Sequence, residues 1–186
     1  MSKNYYMACL DVAGRRCLVV GGGSVGLEKA AGLLACGASV TVVSPDLHEE
    51  LRALGVEWRS RAYETSDLDG MFLVIAATSD RAVNEAVHRD AEARAMLCNV
   101  ADVPELCNFI LPAVHREGPI AVAVSTGGAS PALAKRLRSE IAALVGPEHA
   151  ELAEELRALR PEVKERFETY EERRDYFEEL VTERLS

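Results

Sequence analysis

The chain has 186 residues and a formal net charge of −9, with 48% hydrophobic and 27% charged residues. That balance suits a globular chain with a real core rather than a disordered one, and its acidity excludes general nucleic-acid binding, which needs a basic surface. No apolar run approaches the ~20 residues that cross a bilayer, and the polar start MSKNYY has no signal-peptide core, so a cytoplasmic setting is expected.

In chain order the first element is the apolar run inside RCLVVGGGSVG, residues 16–26, which meets three consecutive glycines and then a helical pattern. Gly21, Gly23 and Gly26 have the G-x-G-x-x-G spacing, with Gly22 inside it. The first glycine serves the tight turn out of the strand, the second the approach of a pyrophosphate to backbone, and the third the packing of helix on sheet. The N–H groups opening a helix at Ser24, Val25 and Gly26 then face phosphates, aided by the helix dipole. Leu27, Ala30, Ala31, Leu34 and Ala35 continue at helical spacing, and Gly37 closes the helix. Residues 38–43, ASVTVV, read as a second strand. Ser44 and Pro45 look like a helix start that runs through Leu47, Leu51 and Leu54 to Gly55. Residues 56–59 make a third strand, Asp69-Gly70 a turn, and residues 71–76, MFLVIA, a strand buried on both faces. A helix capped by Ser79 or Asp80 runs to about Ala93, and residues 96–100 make a fifth strand.

This alternation predicts a Rossmann-like parallel α/β sheet over residues 1–108 with right-handed crossovers. Residues 109–146 change character. Runs at 109–114 and 120–124 flank Glu117-Gly118-Pro119 and predict an antiparallel hairpin. STGGASP, residues 125–131, then opens a helix carrying Leu133, Leu137, Ile141 and Leu144 on one side. Residues 147–186 are a charged helical segment, with 13 acidic against 7 basic residues. Hairpin and helix are too small for an independent core, so packing against a second copy, as a homodimer, is expected; packing on the terminal helices would serve equally well.

Cys9, Cys17, Cys36, Cys98 and Cys107 are an odd set without C-x-x-C, and His48, His88, His115 and His149 are dispersed. Neither a disulfide framework nor a resident metal site is expected. Cys17 and Cys98, inside apolar strands, read as small buried hydrophobes.

Four linked segments, LVVGGGSVGLEKAAGLLACGASVTVVSP, VIAATSDRAVNEAV, CNVADVPELCNFILPAV and IAVAVSTGGASPALAKRLR, resemble the precorrin-2 dehydrogenase / sirohydrochlorin ferrochelatase family of siroheme biosynthesis. The likeness covers about residues 10–145. It implies NAD-dependent oxidation of precorrin-2 to sirohydrochlorin, with ferrous iron as a second substrate in members that also insert it. It implies a Rossmann domain, a dimerisation region and a helical C-terminal part. By this resemblance Ser24, Val25, Pro45 and Asp46 fall at NAD contacts, and Asp102 matches the acid assigned to proton transfer. Ser44, Ala77 and Thr78, at the ends of their strands, join the expected cofactor set. At 186 residues there is no room for the methyltransferase domain fused to some relatives, so precorrin-2 is expected to be made elsewhere.

The chain departs from the family at Gly26 and Glu28-Lys29, where relatives often have Ala and then Arg-Lys. Strand two ends at Val43-Ser44 without the acid that holds a ribose 2′-hydroxyl. Asp46 either substitutes for it or belongs to the first turn of a helix. No arginine stands at that strand tip, which disfavours NADP. Asp102, just after the fifth strand, takes a pyrrole N–H proton if partial burial raises its pKa; the plainer reading is that it shapes the turn before Val103-Pro104. Thr126, Gly127, Gly128 and Ser130 form a second anion cradle for the carboxylates of the macrocycle, with Lys135, Arg136 and Arg138 nearby. The alternative there is an ordinary glycine turn beside a solvated basic helix face. A rival from another class is a non-catalytic NAD-sensing module, which leaves residues 99–108 and 126–131 without a purpose.

Overall fold

The structure, a computed structural model, describes residues 4–185. Among these it divides into two compact units at Leu111 and Pro112.

In the first unit, β1 (Arg16–Val20), β2 (Ser39–Val43), β3 (Glu57–Arg59), β4 (Leu73–Ala76) and β5 (Leu97–Val100) form one parallel sheet in the order β3-β2-β1-β4-β5. The crossovers carry α1 (Ser24–Leu34), α2 (Glu49–Ala53) and α3 (Arg81–Glu92). Successive strand residues point to opposite faces, so each buried run feeds two cores. Leu18, Val20, Val74, Ala76, Cys98 and Val100 pack with Val87 and Ala91 of α3. Cys17, Val19, Val40, Val42, Leu73 and Ile75 pack with Ala30 of α1 and Leu51 of α2. Full burial of each such large aliphatic side chain contributes about 1.5–3 kcal/mol, which is why β1 and β4 read as unbroken apolar runs. Burial pushes the Cys17 thiol up to about 11 and that of Cys98 up to about 12, as inert core residues. The strand order reverses at β1, which places a crevice at the carboxyl ends of β1 and β4, where open parallel sheets take ligands.

Two expectations fail in this unit. The helix expected from Ser44 does not form until Glu49. Residues 44–48 are a loop instead, because their polar groups are used elsewhere. The Ser44 carbonyl accepts Trp58 Nε1–H at 3.0 Å, the Pro45 carbonyl accepts the Ser60 hydroxyl at 3.2 Å, and His48 N–H donates to the Gly22 carbonyl at 2.8 Å. His48 then caps α2, its Nδ1 accepting from Glu50 N–H. Residues 109–112 are not hairpin strand: the Phe109 carbonyl accepts from Asn99 Nδ2 at 3.0 Å, and Pro112 has no N–H for a ladder.

The second unit begins with the antiparallel pair β6 (Ala113–Glu117) and β7 (Ile120–Val124), joined through Gly118 at φ +52°. The helix α4 (Pro131–Ala142) packs on this hairpin through Ala134, its only buried residue. Leu133 and Leu137 of the expected apolar stripe stay exposed, as does Leu144. The charged segment is two helices, α5 (Pro147–Arg166) and α6 (Tyr170–Arg184). Thr169 separates them: its hydroxyl accepts Glu172 N–H while the Glu172 carboxylate accepts Thr169 N–H, a reciprocal cap. No helix among the described residues is long and apolar enough to cross a membrane.

Candidate functional site

The glycine turn is built by close approach. Gly21, at φ +122°, donates to the Val43 carbonyl at 2.9 Å, and a Cβ there would lie 2.4 Å from the Ala77 carbonyl oxygen. A Cβ at Gly22 would lie 2.1 Å from the Asp46 carbonyl oxygen, and one at Gly26 2.1 Å from that of Gly21. Gly23 is different: a Cβ there would meet no protein atom within 4 Å. Three of these glycines are therefore demanded by the protein's own backbone, and Gly23 is not. Gly23 is the N-cap of α1 and has no side chain to satisfy the first turn, which carries no acidic residue. Gly23, Ser24 and Val25 are exposed, so the helix N-terminus offers its N–H groups and partial positive charge outward. An open cradle beside donor N–H groups fits the pyrophosphate of a dinucleotide.

Two loops frame this turn. Residues 44–48 lie over Gly22 through the His48 hydrogen bond, with Ser44 half-buried and Pro45 and Asp46 exposed. Asp46 stands outside α2, so its role in a first helical turn is excluded. Across the crevice, Ala77 N–H donates to the Val20 carbonyl at 2.8 Å and its own carbonyl abuts Gly21. The Thr78 hydroxyl is spent inside its loop: it accepts from Asp80 N–H and lies 3.0 Å from the Asp80 carbonyl and from Asn84 Oδ1. Buried Asn84 completes the clasp by donating to the Thr78 carbonyl. Asn84 went unnoticed in sequence because a polar residue at helical spacing looks like solvated surface. Its partner six residues earlier becomes apparent only once the loop folds back.

At the carboxyl end of β5, Val103 N–H donates to the Val100 carbonyl at 3.2 Å, closing a turn with Asp102 at its third position. Asp102 has φ +62°, the left-handed region that favours glycine or asparagine there. Its carboxylate is exposed, contrary to the partial burial expected for it, and makes no hydrogen bond to the described residues. Shaping the turn therefore does not explain the carboxylate.

In the second unit the Thr126–Ser130 loop is real, with Gly127 at φ +61° and Gly128 at φ +87°. Most of its polar groups are nevertheless internal. Thr126 Oγ1 accepts from Ser130 N–H and lies 3.1 Å from the Ser130 carbonyl, Ser125 Oγ accepts Gly127 N–H, and Ser130 Oγ caps α4 through Leu133 N–H. Of the N–H groups of residues 127–130, the Gly128 one alone has no protein partner, fewer than the exposed pair of glycines suggested. Arg136 is paired with Glu140. His115 is structural, its Nε2 3.1 Å from the Val145 carbonyl where α4 gives way to α5.

A family model described as "Putative NAD(P)-binding" matches residues 8–113. "Sirohaem biosynthesis protein central" matches residues 117–144, and "Sirohaem synthase dimerisation region" matches residues 148–186. The siroheme synthase of Methylobacillus flagellatus is 46% identical over 170 residues, covering 89% of this chain and 36% of that protein. That of Nitrosococcus oceani is 38% identical over 185 residues, covering 95% and 39%. The chain thus spans less than two fifths of the length of these curated relatives. A solved structure, SirC, precorrin-2 dehydrogenase, superposes with a TM-score of 0.80 at 29% identity, over 98% of this chain and 93% of that one. With the dinucleotide turn, hairpin and paired helices in the order these matches require, the chain belongs to the precorrin-2 dehydrogenase / sirohydrochlorin ferrochelatase family, the region found at the N-terminus of siroheme synthases.

Proposed function

We propose that this chain oxidises precorrin-2 to sirohydrochlorin in siroheme biosynthesis, removing one hydride and one proton from the macrocycle. NAD, when bound, supplies the hydride acceptor. The N–H groups of Ser24, Val25 and Gly26, beside Gly21, Gly22 and Gly23, would hold its pyrophosphate. Ser44, Pro45 and Asp46 would hold the ribose, and the backbone of Ala77 and Thr78 would line the opposite wall. Asp102 takes the proton. The loop of Thr126, Gly127, Gly128 and Ser130 receives one substrate carboxylate at the Gly128 N–H, the other three residues shaping the turn that presents it. One observation supports this reading most: an acid occupies a glycine-favouring backbone position at the mouth of the sheet, in a chain that resembles a precorrin-2 dehydrogenase nearly end to end.

Ferrous insertion into sirohydrochlorin belongs to the same proposal, because metallation releases two pyrrole protons, which the exposed Asp102 carboxylate would accept one at a time and pass to solvent. Residues 1–108 bind the dinucleotide, 109–146 serve dimerisation and substrate, and 147–186 complete a homodimer in the cytoplasm. The exposed Leu133 and Leu137 stripe supports the dimer.

Incubation of the purified protein with precorrin-2 and NAD, followed by absorbance, tests the oxidation. The expected result is conversion to sirohydrochlorin that Asp102→Asn slows sharply with NAD affinity unchanged. Tight NAD binding without turnover would favour the sensing module instead. Ferrous or cobaltous ion added to sirohydrochlorin tests insertion.

A further inference from the structure

We infer that Cys107 is a positioning residue that holds the backbone on both sides of Asp102. The inference rests on the proton-acceptor reading of Asp102. Cys107 is buried, and its Sγ accepts from Val100 N–H at 3.2 Å while lying 3.3 Å from the carbonyls of Val100 and Val103. Asn99 Nδ2 approaches the same sulfur at 3.6 Å. One thiol thus grips the residue two before Asp102 and the residue one after it, the two ends of the turn that holds the acid at positive φ.

The geometry also explains why the thiol sits there. β5 is the edge strand of the sheet, and its outer N–H and C=O groups need partners. Asn108 covers Cys98: its Oδ1 accepts Cys98 N–H at 2.8 Å, and its own N–H donates to the Cys98 carbonyl at 3.0 Å. Its Nδ2 reaches the Met96 carbonyl at 2.8 Å and Glu92 at 2.9 Å, which locks the returning chain to α3 as well. Cys107 then does for Val100 what Asn108 does for Cys98. The chain leaves β5, turns at Asp102 and comes back to pair with the strand through the Cys107 and Asn108 side chains and the Asn108 backbone N–H. A left-handed aspartate persists only where its surroundings over-determine it, and Cys107 is the side chain that touches both ends of that turn.

The test compares Cys107→Ala, Cys107→Val and Cys107→Ser with Asp102→Asn and the Asp102→Asn/Cys107→Ala double variant. For each, kcat and KM for precorrin-2, NADH affinity and amide exchange at Ala101–Val103 are measured. The apolar variants should lower kcat by about tenfold or more, leave NADH affinity unchanged and speed exchange at Ala101–Val103. Cys107→Ser, which keeps a donor and acceptor, should recover most of the rate. The double variant should be no slower than Asp102→Asn alone. A folded Cys107→Ala with the parental kcat, or an undiminished further loss on the Asp102→Asn background, would overturn the inference. So would failure of both apolar variants to fold, which would leave Cys107 a stability residue. If Asp102→Asn turns over at the parental rate, it is the proton-acceptor reading that fails, and the exchange measurement still decides whether Cys107 holds the turn.

Discussion

Adding one methyl group at Gly23 separates a glycine kept for a ligand from glycines kept for the fold. Alanine fits the backbone there, at φ −83° and ψ −169°, and its Cβ meets no protein atom within 4 Å. Gly23→Ala should therefore change stability by less than about 1 kcal/mol, a shift of roughly 2–4 °C in Tm for a chain of this size. The same methyl at Gly26 lands 2.1 Å from the Gly21 carbonyl, and at Gly21 2.4 Å from that of Ala77. Backbone cannot yield as a side-chain tip can, so either change should cost at least the ~1–3 kcal/mol of an overpacked core. Binding should show the opposite contrast. The Gly23 methyl would occupy open space beside the α1 N-terminus assigned to the pyrophosphate, and NADH affinity should drop at least about tenfold, or ~1.4 kcal/mol. Thermal melts with and without NADH, together with a fluorescence titration of NADH, measure both quantities. A well-folded Gly23→Ala that binds NADH with the parental Kd would refute the assignment of the turn as a phosphate cradle.

Two further outcomes are expected. Burial raises the pKa of Asp67, but hydrogen bonds from Arg61, Glu64 N–H and Arg59 outweigh it and hold the carboxyl at about 2, below the ordinary 3.8. Because the folded value is the lower one, this stabilisation, roughly 2 kcal/mol, is present above about pH 4 and disappears as pH falls towards 2. Melts from pH 7 to pH 2 should show that loss, and Asp67→Asn should flatten it; an unchanged acid slope in the variant would contradict the assignment. Asp102→Gly should abolish oxidation while raising stability by about 1 kcal/mol through release of the left-handed strain. A fall in Tm would mean that the aspartate side chain holds the turn.

The first unit was legible in sequence because its signals are local. Apolar runs of four or five residues, a glycine triplet before a helical period, and Asp80 ahead of α3 each specify an element from its own residues. The place of Asp102 was legible for another reason: it follows an apolar run, which forms β5 and puts the residue at the mouth of a parallel sheet. Periodicity failed at Ser44-Pro45. The pattern there suits a helix, but Trp58, Ser60 and Gly22 claim the polar groups of the loop, and none of them is a neighbour in sequence. The division of the charged tail at Thr169 carried a local cue, a threonine three residues before Glu172, that the run of charges obscured.

The sequence by itself determined the alternation of strands and helices and the dinucleotide turn, because propensity, period and glycine spacing act over a few residues; the family came from the resemblance of four linked segments. Tertiary structure alone decided that Gly21 and Gly22 are obligatory, since a Cβ there would clash with the distant backbone of Ala77 and Asp46. It also decided that Asp46 lies outside a helix, that the Thr78 hydroxyl is spent within its loop, and that a buried thiol grips the turn of Asp102. The Asp46 loop and the thiol's grip depend on where partners arrive in space from elsewhere in the chain, while the Thr78 clasp depends on its own loop folding back onto Asn84.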